Sequence, residues 1–180
     1  MKKVFGIIAL FALVFAGCSI INPPVTDHSE TVESYTGIQM WDFDQAGASG
    51  FWISDDSTGE GEALSVTGNG GTVDFWYNDR DYTEGAFFVS ADGDSEVYYW
   101  GDDNTPKTTY FATADSADMT APATMTATSI KVETGAWYWV KFDNGDYAKL
   151  HITSYTSPYD MVEFDYDYQT DGTEYFSTEE

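Results

Sequence analysis

Apart from carboxylates, few side chains in this sequence can do chemistry. The 180 residues include one cysteine, Cys18, two histidines, His28 and His151, and 31 acidic residues against seven basic ones. A single cysteine excludes an internal disulfide. No glycine-rich phosphate loop, His-Glu-x-x-His pair or nucleophile elbow occurs, so the chain reads as non-enzymatic. Acid pairs at Asp55-Asp56, Asp92-x-Asp94, Asp102-Asp103 and Asp165-x-Asp167 could offer oxygens to calcium. None has the spacing of a dedicated calcium loop, so they read first as solvated turns and strand faces, with metal binding left open. With this many acids some pair will lie within catalytic distance by chance, and glycoside hydrolysis does not follow from it. Met119 and Met125 carry thioethers, which can ligate a metal or pack as adaptable apolar groups. Six tryptophans and thirteen tyrosines offer flat rings in excess of what a core of this size needs.

Strands must carry these groups. No window after Tyr35 sustains a helical period, and short apolar or aromatic runs alternate with Gly-, Asn- and Asp-rich turns. The runs at 38–43, 50–54, 62–67, 72–77, 86–90, 96–100, 108–112 and 125–132 are expected strands, and three more follow from Trp137 onward. An open sheet of about eleven strands would leave one apolar face uncovered, so a two-sheet antiparallel β-sandwich is expected. Asn144-Gly145 fits a two-residue type I′ hairpin turn. That register pairs Trp139 with Leu150 and Tyr138 with His151. It buries Trp137, Trp139, Ala148, Leu150 and Ile152, leaving Tyr138, Val140, Phe142, Tyr147, Lys149 and His151 on a mixed outer face. Beyond it, Val162, Phe164, Tyr166 and Tyr168 alternate with Glu163, Asp165 and Asp167, the pattern of a half-buried strand. The irregular stretch 114–124, with Met119 and Pro122, is expected to form a flap over the domain.

The amino terminus speaks for export. Lys2-Lys3 precedes the apolar run Val4 to Phe15, which is too short to span a bilayer as a helix of about 20 residues. The end of that run, Phe15-Ala16-Gly17-Cys18, resembles a bacterial lipoprotein signal. The resemblance implies that Cys18 becomes the lipidated first residue and that the protein meets the membrane through that lipid, at the outer membrane or cell surface. An ordinary secretory signal with an incidental cysteine is the alternative. The expected organisation is a signal over 1–17, a flexible tether over 18–34 and a β-sandwich over 35–180. On this reading His28 is a solvated tether residue. The formal charge of −24 becomes more negative once Lys2 and Lys3 are removed, which argues against nucleic acid as a partner.

The C-terminal block resembles a known family. Tyr138-x-Val140-Lys141, then Asn144-Gly145-x-Tyr147-Ala148-Lys149-Leu150-x-Ile152, then Phe164-x-Tyr166-x-Tyr168-Gln169-x-Asp171-Gly172, is similar to the closing motif of the HmuY-like haem-carrier lipoproteins. The resemblance implies an all-β domain on the cell surface that captures haem or another porphyrin. Its characterised members hold haem iron between pairs of His or Met side chains on loops. Here the ligand candidates are Met119, Met125 and His151, with Tyr138 beside His151 in the expected register. Each also has a plain structural reading: the methionines as core packing and His151 as a strand histidine hydrogen-bonded near Tyr138. A carbohydrate-binding surface module is the competing expectation, resting on Trp41, Trp52, Trp76, Trp100, Trp137 and Trp139 as platforms for apolar sugar faces. A structural or adhesive surface protein is the third.

Overall fold

Alternation from Met161 to Tyr168 makes the segment Met161–Gln169 a central strand. Val162, Phe164, Tyr166 and Tyr168 are buried, while Met161, Glu163, Asp165 and Asp167 are only partly covered. In the computed structural model, which describes residues 26–42, 47–53, 58–78, 85–93, 105–156 and 161–177, this strand is the last of ten. In chain order they are β1 (Val32–Trp41), β2 (Gly50–Ile53), β3 (Gly61–Leu64), β4 (Phe75–Asn78), β5 (Phe87–Ser90), β6 (Tyr110–Ala114), β7 (Ser129–Lys131), β8 (Trp137–Lys141), β9 (Tyr147–Thr156) and β10 (Met161–Gln169). They form two five-stranded sheets, in the orders β1-β10-β9-β8-β6 and β3-β2-β4-β5-β7, and every pairing is antiparallel.

The inner faces of both sheets contribute to one aromatic core, as a β-sandwich requires. Phe51 and Phe75, from β2 and β4, lie 5.1 Å apart between ring centroids, and Phe51 meets Phe164 of β10 edge-on at 5.4 Å. Phe88 of β5 meets Phe164 at 5.7 Å. Edge-to-face geometry of this kind satisfies the ring quadrupoles and fixes how the two sheets seat on each other. Among the described residues there is no α-helix.

The β8–β9 hairpin forms where expected but in a register shifted by one residue. Trp137 faces His151, Tyr138 faces Leu150, Trp139 faces Lys149 and Lys141 faces Tyr147. The loop holds three residues: Phe142 N donates to Asp146 O at 2.9 Å and Gly145 N to Phe142 O at 3.0 Å. Gly145 closes it at φ +97°, the left-handed position that ends a three-residue hairpin loop. The shift moves every side chain of one strand to the other face relative to its partner. Tyr138 and Val140 therefore share the core with Ala148 and Leu150, while Trp137 and Trp139 share the outer face with Lys149 and His151.

Other boundaries also move. β1 starts at Val32, so residues expected in the tether are part of the sheet, and a bulge between Tyr35 and Ile38 contains Gly37 at φ +74°. His28 is buried rather than solvated: its Nδ1 lies 2.6 Å from Asp171 Oδ2 and its ring stacks on Tyr175. β7 is shorter than the expected 125–132 run and leaves Met125 outside it. The expected strand at 96–100, the signal segment and Cys18 lie outside the described residues.

Candidate functional site

The outer face of the first sheet carries a row of three side chains from adjacent strands: Trp137 on β8, His151 on β9 and Asp165 on β10. A second row beside it holds Trp139, Lys149, Asp167 and, on β1, Ser34. Between these rows and β1 lies an open cleft of about 180 Å³, lined by Trp137, His151, Lys149, Asp165 and Asp167 with Ser34 to Thr36 and Tyr166.

Each wall is fixed from behind. The Trp137 and His151 rings stack at 4.3 Å with only 10° between their planes. Asp165 Oδ1 accepts the Gly37 amide at 2.9 Å, a donor that the β1 bulge turns toward it. Asp167 Oδ1 accepts the Ser34 hydroxyl at 2.6 Å. Lys149 is buried, with its ammonium 4.9 Å from the Trp137 ring centroid and 5.3 Å from that of Trp139. It donates to Ser116 O at 2.9 Å and Asp118 O at 2.5 Å. Burial pushes the Lys149 pKa down, opposed by the nearby charges of Asp118, Asp167 and Asp115.

Those Lys149 bonds anchor the segment that the sequence suggests as a flap. It lies over the outer face: Ala121 and Met125 pack with Trp139, Tyr147 and Phe176. The chain after β10 ties it down, with Phe176 N donating to Met119 O at 2.7 Å and Ala121 N to Glu174 O at 2.9 Å. Trp139 is thus buried on the outer side of the sheet, under a second small core.

The four residues singled out as ligand candidates are not brought together. Met119 is 44% exposed on the surface of this segment, whereas Met125 sits inside the small core. Tyr138 points into the main core, where its hydroxyl donates to Lys131 O at 2.7 Å and accepts the Glu133 amide at 3.2 Å. Burial raises its pKa. Of the four, His151 alone lines the cleft, and its stacking partner is Trp137 rather than Tyr138. Trp137, Lys149, Asp165 and Asp167 were visible in the sequence as an aromatic platform, a mixed strand face and an acid pair, but nothing in it joined them. The alternation on β10 marks the two acids as same-face neighbours; the hairpin register decides which rings they meet.

Two further clefts open among the described residues. One, of about 140 Å³, is lined by Ile53, Phe142, Asp143, Asn144 and the ion pair of Lys107 with buried Asp74 at 3.3 Å. The other, of about 270 Å³, lies around Trp52, Glu60, Gly61 and Glu62. Among the described residues no group of three or more His, Cys, Asp or Glu is arranged to hold a metal. Asp92 accepts Ser90 Oγ at 2.5 Å and Thr108 Oγ1 at 2.6 Å, a loop-fixing role, and Asp55, Asp56, Asp94, Asp102 and Asp103 lie outside the described residues.

Fold and site together define an antiparallel β-sandwich with a shallow, ring-walled cleft on an outer face. No family model matches the chain, and no curated protein matches it. Among solved structures it is similar to a DUF4466 family protein from Parabacteroides merdae, with a TM-score of 0.55 and 12% identity. The match covers 76% of this chain and 53% of that one, so the chain spans about half of that protein's length. At this identity the likeness concerns the fold alone.

Proposed function

We propose that the protein is a non-catalytic carbohydrate-binding module, carried outside the cell on a lipid at Cys18. The observation behind this reading is the stacked Trp137–His151 pair lining an open cleft together with oriented carboxylates. Apolar C–H faces of a sugar ring rest on aromatic surface, while its hydroxyls donate to fixed acceptors such as Asp165 and Asp167. Size points the same way: pockets that bury drug-sized ligands run to about 300–1,000 Å³, whereas about 180 Å³ suits one sugar ring at a time. The porphyrin reading draws on the resemblance to HmuY-like proteins and on His151, but exposed Met119 and buried Met125 share no described cleft with that histidine.

The test is calorimetric titration of the full chain with hexamers of glucose, N-acetylglucosamine and glucosamine, followed by haem with absorbance detection. At least one sugar is expected to bind and to lose about tenfold or more in affinity in Trp137→Ala. No binding of any sugar, together with a saturable Soret shift that Met119→Ala, Met125→Ala or His151→Ala removes, would overturn the reading in favour of haem.

A further inference from the structure

The polar groups in the cleft are unequally matched, and this bears on which sugar it takes. Asp165 and Asp167 stand two residues apart on the same side of β10, which sets their Cα atoms about 7 Å apart along the strand. Each has Oδ1 held by a donor from β1, Gly37 N at 2.9 Å and Ser34 Oγ at 2.6 Å, while each Oδ2 has no partner among the described residues. Neither forms an ion pair among the described residues. Lys149, the cation in the lining, directs its ammonium to the carbonyls of Ser116 and Asp118 and onto the two indole faces.

The row continues beyond the cleft. Glu163, on the same side of β10, accepts Gln39 Nε2 at 2.7 Å and Thr153 Oγ1 at 3.4 Å. Three carboxylates therefore line one strand, each oriented by a β1 donor. The row gives this side of β10 a concentration of negative charge that Lys149 offsets only beside Asp167, and a ligand that brings positive charge is attracted to it. The whole chain, at −24, favours the approach of such a ligand and opposes an anionic one.

We propose that the cleft binds an amine-bearing sugar in its protonated form, the ammonium seated between Asp165 and Asp167 and the ring against the Trp137–His151 pair. An oligomer of such sugars would extend along β10 toward Glu163. This rests on the carbohydrate reading and narrows it to a cationic class.

Titrating the full chain with the same three hexamers tests it. The glucosamine hexamer is expected to bind about tenfold or more tighter than the glucose and N-acetylglucosamine hexamers, with affinity falling as salt rises. In the double variant D165N/D167N, which keeps an acceptor oxygen at each position, it should fall to the level of the neutral hexamers. Equal binding of all three would overturn this inference while leaving the carbohydrate reading in place; no binding of any would remove both. Strong glucosamine binding unchanged in D165N/D167N would assign the attraction to the general acidity of the surface and overturn the proposed seat.

Discussion

Single side chains hold this domain's irregular pieces in place. Lys149 links the outer face of the sheet to the segment after β6 through the carbonyls of Ser116 and Asp118. Lys149→Met keeps an apolar stem over the indoles but removes both bonds. It should weaken that segment by about 1–3 kcal/mol, seen as faster amide hydrogen exchange across 115–121 with the β-sheet amides unchanged. Asp171 joins both ends of the domain. Burial pushes its carboxyl up, but the hydrogen bonds from His28, Thr173 and Thr31 outweigh this and hold it below the usual carboxylate value. A carboxylate whose folded pKa is depressed adds stability above its unfolded pKa and loses it as pH falls through the folded one. The Asp171 contribution should therefore be fully present above the unfolded value of about 4 and be lost progressively as pH falls from there through the depressed folded value. Melting temperatures measured from pH 7 to pH 2 should show a shallower acid-side slope in Asp171→Asn than in the parent protein.

At the level of elements, the hairpin loop decides what the central sheet presents. A three-residue loop ending in left-handed Gly145 sets Trp137 opposite His151; a two-residue loop would have set it opposite Ile152 and sent it into the core. A Cβ at Gly145 meets nothing within 4 Å, so the cost of Gly145→Ala is that of the backbone conformation alone, about 1 kcal/mol. The variant should melt slightly lower yet retain the Trp137–His151 pairing, read from cross-strand nuclear Overhauser contacts. A change in those contacts would mean that glycine selects the register as well as tolerating the turn. The β1 bulge plays the corresponding part on the other side of the cleft, since it turns the Gly37 amide toward Asp165.

Across the whole molecule, the first and last described segments of the domain close on each other. His28 N donates to Ser177 O at 3.3 Å, Thr170 N donates to Thr31 O at 2.9 Å, and the Gln169 side chain donates to both His28 O and Tyr175 O. The C-terminal segment in turn holds the covering segment through Met119 and Ala121. A chain beginning at Tyr35 would lose His28, the first three residues of β1 and the Ser34 bond to Asp167. Loss of the charge-assisted His28–Asp171 bond alone is worth about 1.5–3 kcal/mol, so the shortened chain should melt roughly 3–12 °C below the full one. Calorimetry of the two chains checks this. Equal melting temperatures would place residues 26–34 outside the cooperative unit.

The sequence by itself determined the class of fold and the existence of its central hairpin. Alternation on β10 and the turn residues at Asn144-Gly145 are local signals that burial and backbone geometry make strong. It also showed the acid pair Asp165 and Asp167 on one side of a strand. It did not determine the hairpin register, because Asn-Gly serves both two- and three-residue loops and both faces of the hairpin are aromatic enough to be buried. The second small core over Trp139 resolves that ambiguity: it lets a tryptophan be buried on the outside of a sheet, which no strand pattern reveals. His28 was illegible for a similar reason, since its partners Asp171 and Tyr175 lie at the opposite end of the chain and only the closed sandwich brings them together. Tertiary structure thus decided which rings meet which carboxylates, because in a sheet a shift of one residue exchanges the inside for the outside.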